Sequence, residues 1–259
     1  MRILLVGASG TIGKAVVKEL GARHDILTAG SKSGDIQVDI TDAVSIKTAF
    51  KRVGSVDAVV STAGRVKFAS LDDLDQAGYE VGLKDKLMGQ VNLVLLGRDS
   101  VKDGGSFTLT SGILDSDPIR AGSSASMVNG ALNSFVIAAA IELTRGLRIN
   151  AVCPGVLIES MKDFGPFFRG YDPVPGAKAA LGRQMRRHVE LAQRERDRVD
   201  RFLQLVGGDD PVKEARRDGV FGLKHLAGGD RPAQPGGMDA AARQFNREAR
   251  RRNADRDLV

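Results

Sequence analysis

The chain of 259 residues contains one cysteine, no tryptophan, two tyrosines and three histidines. The single cysteine, Cys153, cannot form a disulfide within the chain, which favours a reducing compartment. None of the histidines is spaced from a second histidine or a cysteine as metal ligands are, so we predict no metal site. No stretch of about 18 continuous apolar residues is present, so we expect no membrane span. These absences predict a soluble, cytoplasmic protein.

The net charge of +6 comes almost entirely from the end of the chain. Residues 182–259 carry 18 Lys and Arg against 13 Asp and Glu, whereas residues 1–181 are nearly balanced. This change in composition predicts a domain over 1–181 and an arginine-rich, partly helical extension over 182–259. The sequence pI of about 9.6 therefore describes the extension and says nothing about the domain.

Three interpretations of the extension stay open. It is a basic arm for an acidic partner, a helical oligomerisation element, or a disordered end produced by a shifted reading frame. We favour the last, because an arginine-rich composition with scattered glycine and proline is typical of GC-rich DNA in a shifted frame. Interleaved acidic residues and few aromatic residues argue against nucleic-acid binding.

The most informative motif lies at the start of the chain. The apolar run Ile3–Val6 leads into Gly7-Ala8-Ser9-Gly10-Thr11-Ile12-Gly13, after which apolar residues recur at helical spacing. A strand, a glycine turn and a helix N-terminus in succession direct free N–H groups toward one point, where a phosphate binds. Gly7 permits the turn, Gly10 lets the backbone approach a pyrophosphate, and Gly13 lets the helix pack on the sheet. The motif predicts a dinucleotide site, and its glycines interrupt the early apolar run, so we expect no signal peptide.

Strands and helices alternate along the first 150 residues. We predict strands at Ile3–Val6, Asp25–Ala29, Val56–Ser61, Ser106–Thr110 and Arg148–Val152. We predict helices at Thr11–Ala22, Ala43–Arg52, around Tyr79–Arg98 and around Ser123–Arg145. This alternation predicts an α/β fold with a doubly wound parallel sheet of the Rossmann type, whose ligands bind at the carboxyl ends of the strands.

Four elements in this order resemble the short-chain dehydrogenase/reductase family over about residues 1–180. They are the glycine loop, Val38-Asp39-Ile40-Thr41-Asp42 after a short third strand, Ser61-Thr62-Ala63-Gly64, and Asn150-Ala151-Val152-Cys153-Pro154-Gly155. The resemblance implies a nicotinamide cofactor, a small-molecule substrate, and pairing of two copies of the chain through long helices.

The resemblance also assigns residues to parts of the cofactor. It implies that Asp39, with Ile40, lies at the adenine and that Ala63 and Gly64 lie against the adenine ribose. It implies that Pro154 and Val156 present backbone to the nicotinamide carboxamide. The remaining implied contacts are in the phosphate loop: Ser9, Thr11 and Ile12 beside the three glycines.

The end of the second strand indicates which dinucleotide binds. NAD sites place an Asp or Glu there for the ribose 2′-hydroxyl, whereas NADP sites place groups that accept a phosphate. This strand ends in Thr28-Ala29-Gly30-Ser31-Lys32-Ser33, with no carboxylate before Asp35. We predict NADP(H), held by Ser31 and Lys32; the alternative is that Lys32 is an exposed loop lysine.

The sequence departs from the family at its catalytic pair. The family uses a Tyr that exchanges a proton with the substrate oxygen and a Lys four residues later on the same helix. Here Ala125 and Asn129 stand at those positions, and no Tyr-x-x-x-Lys occurs anywhere in the chain. The family's strand-end serine is present as Ser111, which would orient the substrate oxygen.

Three residues are therefore our candidate catalytic groups: Ser111, Asn129 and Lys86. Asn129 would bind a ribose hydroxyl, and Lys86 would act as an acid if burial lowers its pKa. For Lys86 we favour the alternative, a surface lysine in the charged cluster Lys84-Asp85-Lys86; the alternative for Ser111 is a strand-end cap.

Two functions follow from these residues. The first is an NADP(H)-dependent oxidoreductase of the short-chain dehydrogenase type that acts on a small carbonyl or alcohol. The second is a non-catalytic NADP(H)-binding sensor or interaction protein, which the missing tyrosine favours. The sequence does not name the substrate or the proton donor.

Overall fold

Six parallel strands form one sheet in the computed structural model, which describes residues 1–180. The strands are β1 Arg2–Val6, β2 Asp25–Gly30, β3 Ile36–Gln37, β4 Val56–Ser61, β5 Val101–Thr110 and β6 Arg148–Val152. Their order across the sheet is β3-β2-β1-β4-β5-β6, and every neighbouring pair runs parallel. The predicted doubly wound α/β fold is confirmed, and the reversal of strand order between β1 and β4 opens the crevice in which such folds bind ligands.

Seven α-helices connect the strands or follow the last one. They are α1 Thr11–Leu20, α2 Ala43–Val53, α3 Gln76–Gly82, α4 Met88–Gly97, α5 Ser123–Glu142, α6 Met161–Phe164 and α7 Gly176–Ala180, counted within residues 1–180. The side chain of Asp42 caps α2 by accepting a 2.8 Å hydrogen bond from the Val44 N–H, which adds to its stability.

The predicted helix around Tyr79–Arg98 is present as a continuous helical run, but it is not α-helical throughout. A π-helical turn, Leu83–Leu87, separates α3 from α4. Such a turn shifts the side chains after it relative to an unbroken α-helix, and it is frequent at functional sites. The sequence gives no sign of the turn, because apolar spacing looks similar on both sides of it.

The main core lies between the sheet and the helices on both faces. Its largest fully buried side chain is Phe107 on β5, which packs among aliphatic side chains of the neighbouring strands and helices. The helix α5 has the length and apolarity to cross a membrane, but Val128, Leu132 and Val136 on it are buried in this core. The core therefore accounts for the apolar character of α5.

The predicted boundary at residue 181 and the arginine-rich extension over 182–259 lie outside the described residues.

Truncation of Phe107 tests this account of the core. Phe107→Ala should lower the free energy of unfolding by about 3–5 kcal/mol, because a fully buried ring is lost and a cavity remains. Leu71→Ala is the control, because Leu71 is 73% exposed and its truncation should change stability by less than about 0.5 kcal/mol. Urea unfolding of the two variants measures both values. Equal losses of unfolding free energy would contradict the placement of Phe107 at the centre of the core.

Candidate functional site

One cleft lies at the carboxyl ends of β1, β4, β5 and β6. Its volume is about 240 Å³. It is lined by the start of α1 and by the loops that follow β4, β5 and β6, which contribute Ile12, Thr62–Gly64, Thr110–Leu114 and Pro154–Val156. The sheet therefore brings residues from distant parts of the sequence to one edge, as the parallel topology predicts.

The glycine loop at one side of the cleft requires glycine at two positions. Gly7 has a φ of +90°, and a Cβ there would lie 2.7 Å from the Ala63 nitrogen. A Cβ on Gly13 would overlap the Gly7 carbonyl oxygen. The loop between β1 and α1 therefore packs closely at Gly7 and Gly13. The middle glycine of the motif, Gly10, is exposed at the start of α1.

The start of α1 has the features of an anion site. Gly10 is the N-cap and has no side chain to bind the first-turn N–H groups, and no acidic residue lies in that turn. The predicted phosphate-loop residues Ser9 and Thr11 are exposed there, while Ile12 lines the cleft. The unpaired N–H groups and the helix dipole fit the pyrophosphate of a dinucleotide.

A second cleft of about 280 Å³ lies beside the end of β2. Ser9, Lys14, Thr28 and Ser33 are among its lining residues. The predicted residues Ser31 and Lys32 are exposed in the adjoining turn and do not line it. Sequence reasoning missed Lys14, whose position just after the glycine loop was the available signal.

Asp35, which follows the lining residue Gly34, is already bound to Thr28. Asp35 Oδ2 accepts hydrogen bonds from the Thr28 N–H at 2.9 Å and from the Thr28 hydroxyl at 2.7 Å. The Thr28 N–H is the main cause that lowers the pKa of Asp35. Asp35 therefore ties the turn over residues 31–35 back to β2.

Asp39 and Ile40 differ in their surroundings. Asp39 is exposed, and its Oδ1 accepts from the Thr41 hydroxyl at 2.7 Å and the Thr41 N–H at 2.9 Å, which lowers its pKa. Ile40 is buried in the main core, where its side chain faces Gly89 of α4. Asp39 thus sits at the surface of the predicted adenine side, and Ile40 anchors that loop.

The loop after β4 is fastened to the glycine loop. The Thr62 N–H donates to the Val6 carbonyl at 2.8 Å, and the Thr62 hydroxyl donates to the Gly7 carbonyl at 3.0 Å. Ala63 and Gly64 follow and line the cleft. Gly64 has a φ of +141°, and a Cβ there would lie 2.7 Å from Cγ of Lys86. The loop therefore covers the aliphatic stem of Lys86 closely.

Lys86, Ser111 and Asn129 meet at the closed end of the cleft. Lys86 Nζ donates to the Ser111 carbonyl and to Asn129 Oδ1, both at 2.8 Å. The Ser111 hydroxyl donates to the Asn129 carbonyl at 3.0 Å. An ammonium has three N–H donors, so these bonds leave one for a ligand in the cleft. The three predicted catalytic residues form one connected group.

Burial sets the charge state of Lys86. Loss of hydration lowers the pKa of its ammonium from 10.5 to about 8. Within residues 1–180, no carboxylate pairs with Lys86, since the adjacent Asp85 binds Arg65 with a nitrogen–oxygen distance of 2.7 Å. The group is therefore poised to gain or lose a proton near neutral pH.

The π-helical turn and Gln90 position Lys86. The turn carries Lys86 into the cleft, while Lys84 two residues earlier is 72% exposed and pairs with Glu80. The Gln90 amide is fully buried and binds the Thr110 N–H at 2.8 Å, the Thr110 carbonyl at 2.9 Å and the Lys86 carbonyl at 3.2 Å. Sequence reasoning missed Gln90, because a glutamine inside an apolar helix carries no distinctive signal.

The loop after β6 completes the cleft. The Pro154 carbonyl accepts from the Ile113 N–H at 3.1 Å, and the Val156 carbonyl accepts from the Val174 N–H at 2.9 Å. These bonds hold Pro154 and Val156 at the edge of the cleft, where the family resemblance places the nicotinamide.

The other end of the cleft is apolar. Phe68, Phe164 and Phe168 line it, together with Val66, Leu114, Ala125 and Val156. Leu114, Ala125, Val156 and Phe168 are buried in a small hydrophobic cluster of their own, apart from the main core. Ala125 is the residue that stands where the family has its tyrosine. The cleft therefore has a polar closed end and an aromatic outer end.

Comparisons with known proteins identify the family. Residues 5–193 match a family model described as enoyl-(acyl carrier protein) reductase. The solved structure of the protein lin1944 from Listeria innocua is 52% identical, with a TM-score of 0.69, and the match covers 70% of this chain and 90% of that chain. A comparison with curated proteins gives no match.

Two further structures share the fold. A small-chain dehydrogenase in complex with NADPH is 23% identical, with a TM-score of 0.62, over 70% of this chain and 88% of that chain. A short-chain dehydrogenase/reductase from Serratia marcescens is 19% identical, with a TM-score of 0.58, over 70% of this chain and 85% of that chain. Since the family model spans most of this chain, the chain belongs to the short-chain dehydrogenase/reductase family, whose members are oxidoreductases that bind nicotinamide cofactors.

Proposed function

We propose that this protein is an NADP(H)-dependent oxidoreductase that interconverts a small carbonyl compound and its alcohol. The observation that carries the proposal is the group formed by Lys86, Ser111 and Asn129 at the closed end of the dinucleotide cleft. When bound, the nicotinamide supplies or accepts the hydride. The residues of the chain then have to orient the substrate oxygen and move its proton.

Lys86 is the proposed proton donor in the reductive direction. Lys86 lines the cleft and has one N–H left for a ligand, and a pKa of about 8 leaves the ammonium largely protonated at neutral pH while making proton transfer easy. The ammonium enters the site from the turn before α4, whereas the family's lysine comes from the helix that corresponds to α5. Asn129 stands where the family has its lysine, and the cation of this chain reaches Ser111 from a different element.

Ser111 and Asn129 hold the donor and the substrate. Asn129 Oδ1 and the Ser111 carbonyl fix the direction of the ammonium through two hydrogen bonds. The Ser111 hydroxyl can rotate from the Asn129 carbonyl to a substrate oxygen, as hydroxyl groups do. The amide nitrogen of Asn129 packs next to Gly112, and both residues line the cleft. From there the amide would donate a hydrogen bond to a ribose hydroxyl of the cofactor.

The preference for NADP(H) rests on the charges around the second cleft. Lys14, Ser9 and Ser33 line it, and Ser31 with Lys32 adjoin it, which provides cations and hydroxyl donors for a 2′-phosphate. Asp35 is occupied by Thr28, so it is not free to bind a ribose 2′-hydroxyl through the same oxygen.

A non-catalytic NADP(H)-binding protein is the second candidate function. Ala125 favours it, because a methyl group stands where the family has its proton-transferring phenol. Tight binding of NADPH without turnover of any small aldehyde or ketone would support this candidate. Failure to bind either dinucleotide would contradict both functions.

Removal of the Lys86 ammonium tests the catalytic proposal. Lys86→Met should lower kcat/KM for carbonyl reduction by about 100-fold or more, because general acids contribute on that scale. Lys84→Met is the matched control, since this neighbouring lysine is exposed, and its activity should stay close to that of the parent protein. NADPH oxidation at 340 nm measures both, and equal rates in the two variants would exclude Lys86.

Ser111→Ala should also lower kcat/KM, and no effect of it would remove Ser111 from the mechanism.

The pH profile gives a second test of Lys86. Reduction needs the protonated amine, so kcat/KM should be constant below about pH 8 and fall as the pH rises through that value. Alcohol oxidation needs the neutral amine and should rise over the same interval. Lys86→Arg should abolish this inflection, because a guanidinium stays protonated throughout the accessible pH range. An inflection near pH 8 that persists in Lys86→Arg would belong to another group.

Titrations with both dinucleotides test the cofactor preference. Lys32→Ala and Lys14→Ala should each weaken NADPH binding by about 10-fold and leave NADH binding unchanged, because each removes one cation from the 2′-phosphate. Lys18→Ala, an exposed lysine in the last turn of α1, is the control. Unchanged NADPH affinity in Lys32→Ala would refute the role of that residue.

A further inference from the structure

The aromatic outer end of the cleft has a defined composition. Phe68 comes from the loop after β4, whereas Phe164 and Phe168 come from the segment that follows β6. The ring centroids of Phe68 lie 5.6 Å from those of Phe164 and 6.3 Å from those of Phe168. Edge and tilted contacts at these distances are the arrangement that aromatic rings prefer, and a further ring fits among them in the same way.

Ala125 widens this end of the cleft. It is buried next to Leu114, Val156 and Phe168, and its methyl group faces the cleft. The family has a tyrosine at this position, and alanine lacks its phenol ring. The space between the polar end of the cleft and the phenylalanines is therefore not filled by a side chain at position 125. An apolar cavity of about 150 Å³ holds one benzene ring. The cleft of about 240 Å³ is larger than this, and its apolar end is lined by residues other than Lys86, Ser111 and Asn129, so one substrate ring fits beside the polar end.

Charges at the cleft select against an anionic substrate tail. Among the lining residues within 1–180, Lys86 is the one charged side chain, and it lies at the end where the reacting oxygen would be. The nearby Arg65 is bound to Asp85. Arg120 and Arg169 line a different cleft, with Phe167 and Tyr171. A carboxylate carried at the far end of a substrate would lie against apolar rings and gain no cationic partner from the described lining residues.

We infer that the substrate is a small, uncharged aryl ketone or aldehyde, whose ring lies between Ala125 and the three phenylalanines. The inference rests on the proposed function, because the carbonyl oxygen of this substrate is placed at Lys86 and Ser111. The hydride adds to the carbonyl carbon, and the proton on the product oxygen comes from the Lys86 ammonium, so an aryl alcohol and NADP⁺ are formed.

Four ketones test the inference with the full-length protein and NADPH. They are acetophenone, 4-acetylbenzoate, cyclohexyl methyl ketone and butanone. Acetophenone should exceed 4-acetylbenzoate in kcat/KM by at least about 10-fold, because the added carboxylate is buried without a partner. It should exceed butanone by at least about 10-fold, because a ring buries more apolar area than an ethyl group. The cyclohexyl ketone should fall between acetophenone and butanone.

Two variants locate the ring. Ala125→Leu and Phe164→Ala should each reduce the ratio of kcat/KM for acetophenone to that for butanone by about 10-fold, because one fills the ring position and the other removes a wall. Phe164 is 39% exposed on the short helix α6, so its truncation tests the site even if Ala125→Leu fails to fold. Equal or faster reduction of 4-acetylbenzoate, or unchanged ratios in the folded variants, would overturn the inference.

Failure of the proposed function gives a different result. In that case NADPH binds and none of the ketones is reduced. Saturation-transfer NMR on the protein–NADPH complex then decides the substrate class: binding of acetophenone that is absent for 4-acetylbenzoate and weakened in Phe164→Ala supports it. Absence of acetophenone binding, or equal binding of the two ketones, would refute it.

Discussion

The parallel direction of all six strands is the constraint on which the site depends. Because every strand ends at the same edge, the loops after β1, β4, β5 and β6 converge there, although they are separated by up to about 150 residues. The tight turn at Gly7 and the close packing at Gly13 hold the first of these loops against the sheet. The position of the dinucleotide and the position of the candidate catalytic residues are consequences of this one arrangement.

The second constraint is electrostatic. An ammonium that is removed from water without a carboxylate beside it is costly, and here oxygen acceptors on β5 and α5 offset part of that cost. The part of the desolvation cost that these acceptors do not offset lowers the pKa of Lys86 to about 8. The same burial that destabilises the charged amine would make it a better proton donor, and for this reason the proposed reaction does not require the family's tyrosine.

The fold and the cofactor loop could be predicted from local sequence, but the full site could not. The glycine spacing, the apolar strands and the Ser111 strand end depend on short-range patterns, and the structure places them as predicted. The sequence cluster Lys84-Asp85-Lys86 looks like a solvated surface, but Lys84 is exposed and Lys86 lies on the opposite side of the helical turn, in the cleft. The three phenylalanines come from two distant loops without periodicity, so their meeting depends on tertiary packing.

Gln90 has a consequence for how the cleft can change. One buried amide joins the backbone of Lys86 to the end of β5, so the spacing between the lysine and Ser111 is set inside the core. The phenylalanines, by contrast, belong to the loop after β4 and to the segment after β6, where Phe68 and Phe168 pack in a separate hydrophobic cluster. Hydrogen bonds inside the core thus fix the inner part of the cleft, and a substitution among the phenylalanines touches none of them.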